Sequence, residues 1–122
     1  MSTNEAEIIA FMKSVKDRYF PELEISTFEV VHDTSFEGVM GRARFGGHPK
    51  VVLHYSDKRI LAPRYRAGLI PIISHELAHF INPIDPEKVM RDRLPAPIIF
   101  LWEQLLSEGY AKCSLENERS KA

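Results

Sequence analysis

One short segment constrains this chain more than any other: residues 72–81, which read Ile-Ile-Ser-His-Glu-Leu-Ala-His-Phe-Ile. The segment contains the pattern His-Glu-x-x-His, with imidazoles at His75 and His79 and a carboxylate at Glu76. Side chains four residues apart lie on one face of an α-helix, because the helix has 3.6 residues per turn. The two imidazoles can therefore reach one metal ion, and Glu76 can accept a proton from a water molecule on that ion. The pattern predicts a zinc site on a helix.

The neighbours of the pattern are apolar, which places Glu76 in a helix expected to be packed on most sides. Burying an unpaired carboxylate costs several kcal/mol, so a buried glutamate at this position implies a partner. A metal site between His75 and His79 supplies that partner. The apolar surroundings of Glu76 therefore favour a metal site, as the spacing of His75 and His79 does.

The third protein ligand is the open question, because a catalytic zinc usually has three and the pattern supplies two. No histidine follows His79, so a downstream ligand would be a carboxylate. Glu108 is the strongest candidate, since it lies in the mostly apolar segment 105–111, whose small residues would let two helices approach closely. Glu103 is the main alternative. It lies about 140° from Glu108 around a helix, so both carboxylates cannot face one ion.

The hydrophobic periodicity predicts an α+β fold in a single domain of residues 1–122. We expect an N-terminal helix, a small three-stranded antiparallel sheet, and then the active-site helix and the glutamate helix. The prolines place a separate turn at 64–69 before the active-site helix and a short helix between the two helices of the site. The predicted helices cover about residues 4–19, 70–81, 86–92 and 98–114, and the predicted strands cover about 23–31, 39–45 and 51–55.

Charge and composition exclude several classes of partner. Sixteen basic residues nearly balance seventeen acidic ones, which leaves a net charge of -1 and no strong field toward nucleic acid. No apolar run approaches the roughly 20 residues that span a membrane. The N-terminus is polar, and the lone Cys113 cannot form an intramolecular disulfide. We expect a cytoplasmic protein with neither a nucleic-acid nor a membrane partner.

Two segments together carry a family resemblance. The residues His75-Glu76-Leu77-Ala78-His79, followed by Ser107-Glu108-Gly109-Tyr110-Ala111, resemble the gluzincins, whose third zinc ligand is a glutamate on a following helix. The second segment is similar to the Asn-Glu-Gly-Phe-Ala element of aminopeptidase-type gluzincins. The small size and the order of elements resemble the minigluzincins, which are single-domain proteases. One departure is Lys112, which stands where thermolysin-like enzymes carry an aspartate that orients a histidine ligand.

This resemblance implies a zinc metallopeptidase, more an endopeptidase than an exopeptidase. It implies that Glu76 is catalytic and that His75, His79 and Glu108 bind Zn²⁺. The substrate would be a peptide or protein, and the strand Val51–Tyr55 is expected at a sheet edge, where an extended substrate can pair with it. A simple core strand is the equal alternative for Val51–Tyr55.

The sequence leaves further features of the site open. The donor that stabilises the transition state has three candidates, which are Tyr110, Tyr65 and His54. The resemblance to the minigluzincins also implies that the tail Cys113–Ala122 could hold the enzyme latent by covering the cleft. The alternative function is a catalytically weak zinc-binding module, similar to the ImmA type of phage regulators that act on a repressor.

Overall fold

The structure is a computed structural model that describes residues 3–35, 37–56, 60 and 62–112. The chain forms an α+β fold, as predicted, with an N-terminal helix, a sheet and three further helices. In chain order the elements are α1 (Thr3–Tyr19), β1 (Thr27–His32), β2 (Val39–Arg44), β3 (Lys50–Tyr55), α2 (Pro63–Ala78), α3 (Pro86–Arg93), α4 (Ala96–Ser107) and β4 (Ala111–Lys112).

The sheet has the strand order β1-β3-β2-β4 and is mixed. The hairpin strands β2 and β3 are antiparallel, as predicted, but β1 is parallel to β3 and β4 is parallel to β2. The prediction of a purely antiparallel, three-stranded sheet is therefore wrong in these pairings. The reason is the strand order. Strand β3 lies between β1 and β2, so β1 pairs with β3, which runs in the same direction, and not with β2, the strand that follows it in the chain.

The central position of β3 decides between the two interpretations of the strand Val51–Tyr55. Residues Lys50–Tyr55 form hydrogen bonds with β1 on one side and with β2 on the other. The apolar run Val51, Val52 and Leu53 is buried throughout, which is typical of a strand covered on both faces. The strand Val51–Tyr55 is thus a core strand, and no substrate can add along it. Among the described residues, β1 and β4 form the edges of the sheet.

Helix α2 begins at Pro63, seven residues before the predicted start at 70. Proline suits the first helical position because its missing N–H would have no partner there. Pro71 lies inside the same helix, so the predicted separate turn at 64–69 is wrong. One lost backbone hydrogen bond is tolerated because α2 packs against the other three helices and two strands.

Helix α4 ends at Ser107, earlier than predicted, because Gly109 stops it. Gly109 has φ of +78°, a left-handed conformation that glycine adopts without a steric penalty. The N–H groups of Gly109 and Tyr110 donate to carbonyls of the last helical turn at 3.1 and 3.0 Å, the pattern of a Schellman cap. The chain then enters β4. Glu108 therefore lies at the end of α4 rather than within it.

The core lies between the helices and the inner face of the sheet, and α2 occupies its middle. Buried side chains of α2 pack there together with residues of every other helix and of β1, β2 and β3: Ile8, Met12, Val15, Phe28, Val39, Leu53, Leu69, Ile73, Leu77, Met90 and Leu105. No helix in the described part of the chain is long and apolar enough to cross a membrane. The tail Cys113–Ala122 lies outside the described residues.

Candidate metal centre

The three residues of the pattern lie together at the C-terminal end of α2. His75, Glu76 and His79 each offer a ligand atom, and these atoms all lie within 4.8 Å of one another. The imidazole centroids are 4.8 Å apart, and the rings are close to perpendicular at 84°. The group can hold a metal ion, as its spacing along the sequence predicts.

All three side chains are buried. His75 and His79 are each 3% exposed, and Glu76 is 2% exposed. Ionisable groups this deep are costly unless they are paired, hydrogen-bonded or bound to a metal. Two imidazoles and one carboxylate are ligands that zinc accepts, so the donor set fits the predicted ion.

Two residues from outside α2 pack against the His75–Glu76–His79 group. Trp102 of α4 lies over His75, with ring centroids 5.5 Å apart and planes tilted by 33°. On the other side, Gly41 of β2 lies so close to Glu76 that a Cβ atom built on it would be 2.7 Å from Glu76 Cγ. The sequence interpretation missed both residues. A glycine inside an alternating strand was the available signal for close approach at position 41.

Helices α2 and α4 run antiparallel, and three contacts define their register. Trp102 lies over His75, Leu105 lies against Gly68, and Glu108 binds Arg64. Because a helix rises 1.5 Å per residue, Glu108 is about 9 Å along α4 from Trp102. Residue 108 therefore lies more than one and a half helical turns along α4 from the level of the imidazoles, and its carboxylate binds Arg64 in the first turn of α2.

The structure does not bring Glu108 into the metal-binding group. Arg64 Nη1 and Nη2 donate to the two carboxylate oxygens of Glu108 at 3.1 and 2.6 Å. This bidentate pair holds the pKa of Glu108 below its ordinary value. The role of Glu108 as a metal ligand stays a prediction. To coordinate an ion beside His75 and His79, its carboxylate would have to leave Arg64. The alternative Glu103 is exposed and lies 3.8 Å from Arg91.

Two of the three candidate donors lie near Glu108 rather than near the imidazoles. The rings of Tyr65 and Tyr110 are 4.4 Å apart. Together with Glu37, Gly38, Glu108 and Gly109 they line a pocket of about 100 Å³. Tyr65 is ten residues from His75 on α2, which is about 15 Å along the helix. The structure therefore places these tyrosines at the far end of α2.

His54 lies on the other face of the sheet. Its neighbour Leu53 is the cross-strand partner of Gly41, which faces Glu76, and successive strand residues point to opposite faces. His54 Nδ1 is 3.5 Å from Asp33 Oδ2. Burial lowers the pKa of His54, with Arg42 adding to that effect and Asp33 opposing it. His54 is thus separated from Glu76 by the sheet.

No family model, curated protein or solved structure matches this chain. The resemblance to the gluzincins therefore stays a prediction that rests on the residues of the two segments. What the structure adds is the buried group of His75, Glu76 and His79, which can bind a metal.

Proposed function

We propose that this protein is a zinc-dependent peptidase whose active site is the His75–Glu76–His79 group. The observation that carries the proposal is the convergence of two imidazoles and one carboxylate, with ligand atoms within 4.8 Å of one another, at the buried C-terminal end of α2. Such an arrangement supports hydrolysis because it joins a Lewis-acid site to a base. The compositional balance of the chain is that of an ordinary globular protein and is compatible with an enzyme.

Each residue has a defined role in this proposal. His75 and His79 would hold the ion, and a zinc ion bound there would acidify water and polarise a peptide carbonyl. Glu76 accepts the proton of the attacking water and later donates it to the leaving amine. The buried surroundings of Glu76 strengthen both proton transfers by excluding bulk water.

Glu108 is the third ligand in the gluzincin form of the proposal. In the structure its carboxylate is bound by Arg64, so this form requires the ion pair to open. Control by the tail Cys113–Ala122 also belongs to the proposal, and those residues lie outside the described ones. A peptide or protein substrate follows from the proposed chemistry.

The burial of the group favours a second candidate function. Each of the three residues is at most 3% exposed, so they offer almost no surface to a substrate carbonyl in this conformation. A closed site is typical of structural zinc, which contributes folding energy instead of catalysis. In that case Glu76 is a ligand rather than a base, and the protein is a zinc-binding regulatory or interaction module.

Glu76→Gln separates the two candidates, because an amide cannot accept the proton but fills the same space. The measurements are zinc content and hydrolysis of a quenched-fluorescent peptide library by wild type and variant. A peptidase retains zinc in the variant and loses hydrolysis. A closed structural site loses zinc affinity in the variant, and wild type cleaves nothing. Equal hydrolysis by both proteins contradicts the role of Glu76 as base.

A further inference from the structure

Gly41 occupies an unusual position on β2. The inner face of this strand carries Val39, Gly41 and Ala43, all of them buried. A glycine in a strand interior costs roughly 0.5–1 kcal/mol relative to alanine, so its presence calls for a reason. The left-handed glycines among the described residues are Gly38, Gly47 and Gly109, so the backbone at Gly41 does not demand glycine.

The space around position 41 does require glycine. A Cβ atom built on Gly41 would lie 2.7 Å from Cγ, 3.0 Å from Oε2 and 3.1 Å from Cδ of Glu76. Its three nearest neighbours are thus all atoms of the Glu76 side chain. Real Cβ contacts essentially never fall below 3.0 Å, so any larger residue at this position forces one of the two partners to move.

The partner that moves is Glu76. Gly41 is paired with Leu53 of the central strand β3, and the preceding residues of β2 are also paired with β4, so the strand cannot retreat. The Glu76 side chain can rotate about its Cα–Cβ and Cβ–Cγ bonds, whereas the β2 backbone is held by the sheet. Because the closest atom is Cγ, such a rotation also displaces the carboxylate, within a site that leaves Glu76 almost no exposed surface.

We propose that Gly41 is a positioning residue for Glu76: the bare backbone of β2 forms the surface against which the carboxylate is set. This inference rests on the proposed function for its catalytic meaning, while the contact itself is a property of the fold. A shift of about 1 Å in a catalytic group can lower a rate about a hundredfold. Gly41 therefore contributes to catalysis through Glu76 without touching the substrate.

A double-mutant cycle between Gly41→Ala and Glu76→Ala tests the contact without any need for activity. In the chain that retains Glu76, Gly41→Ala should lower the midpoint of thermal unfolding or prevent folding. In the Glu76→Ala background the obstructing atoms are gone, so the same change should be tolerated. An equal loss in both backgrounds, or misfolding in both, overturns the proposal.

Gly68→Ala is the matched control, because Gly68 is also buried and a Cβ there would lie 2.2 Å from Leu105 Cδ1. Its effect should be the same with and without Glu76. Where wild type hydrolyses peptide, Gly41→Ala should lower kcat about a hundredfold. KM and zinc affinity should stay near the wild-type values, and unchanged kcat overturns the proposal. If wild type cleaves nothing, the proposed peptidase fails, and the cycle alone decides the Gly41–Glu76 contact.

Discussion

Arg64, in the first turn of α2, holds the carboxylate of Glu108 at the end of α4 in a bidentate ion pair, with Nη2 2.6 Å from Oε2. This pair connects the ends of the two helices that enclose the candidate metal centre. It also occupies the carboxylate that the family resemblance assigns to the metal. In the gluzincin form of the proposal, a metal ion would therefore compete with the Arg64 guanidinium for this side chain.

If the ion is held without Glu108, as the Arg64–Glu108 ion pair favours, Glu108→Gln should leave zinc affinity within about threefold of wild type, because residue 108 is about 9 Å along α4 from Trp102, which lies over His75. Arg64→Ala should likewise leave the affinity unchanged. Competition with a chromophoric chelator measures both values. A loss of tenfold or more in Glu108→Gln, with a gain in Arg64→Ala, would instead establish Glu108 as a ligand that Arg64 restrains.

Trp102 provides an optical probe of the candidate metal centre. It is the only tryptophan of the chain, it is buried, and its ring lies 5.5 Å from that of His75. A paramagnetic ion bound by His75 would therefore lie close enough to quench its emission. We expect Co²⁺ to quench Trp102 fluorescence in a saturable titration.

His75→Ala and His79→Ala should both remove this quenching. Calcium is the control ion, since it prefers oxygen ligands and should leave the emission unchanged. Saturable quenching that persists in His75→Ala would place the bound ion elsewhere in the protein. The absence of quenching in wild type would contradict binding beside Trp102.

Glu22 and Arg93 give the protein a defined pH dependence. Arg93 Nη1 donates to Glu22 Oε1 at 2.9 Å and to the Tyr19 carbonyl at 3.1 Å. The bond to Arg93 lowers the pKa of Glu22 from 4.5 to about 2. Because the pKa is lower in the folded state, the contribution to stability is fully present above pH 4.5 and is lost as the pH falls toward 2.

Glu22→Gln should therefore lower the unfolding midpoint relative to wild type at pH 7. The gap between the two proteins should narrow below pH 4.5 and close near pH 2. Glu24→Gln, at an exposed position two residues away, is the matched control and should follow the wild type. A gap that stays constant from pH 7 down to pH 2 would show that Glu22 stabilises by some means other than its charge.

Sequence reasoning predicted the elements governed by local rules. The spacing of His75 and His79 depends only on the helical repeat, and the structure brings these residues together. The predicted short helix at 86–92 begins at a local signal as well, because the Asp85 side chain at its N-cap accepts a hydrogen bond from the Lys88 N–H at 3.2 Å. Both features lie within single elements, where the sequence carries the necessary information.

Features that depend on tertiary packing were predicted less well. The parallel placement of β1 beside β3 follows from which faces are buried together, and local periodicity does not encode strand order. Position 109 was interpreted as a close-packing glycine, whereas it caps α4 and sets Glu108 at the helix end. The antiparallel register of α2 and α4, which decides the neighbours of Glu108, has no signal in the sequence of either helix alone.

Zinc stoichiometry is the most direct test of the central claim, that His75 and His79 bind a metal ion. Wild type, His75→Ala, His79→Ala and the control His54→Ala are dialysed against Zn²⁺, checked for folding by circular dichroism and assayed for bound metal. We predict one zinc per chain in wild type and in His54→Ala, whose side chain lies on the opposite face of the sheet. His75→Ala and His79→Ala should retain almost none while still folded. One zinc per chain in both of these variants would contradict the metal centre.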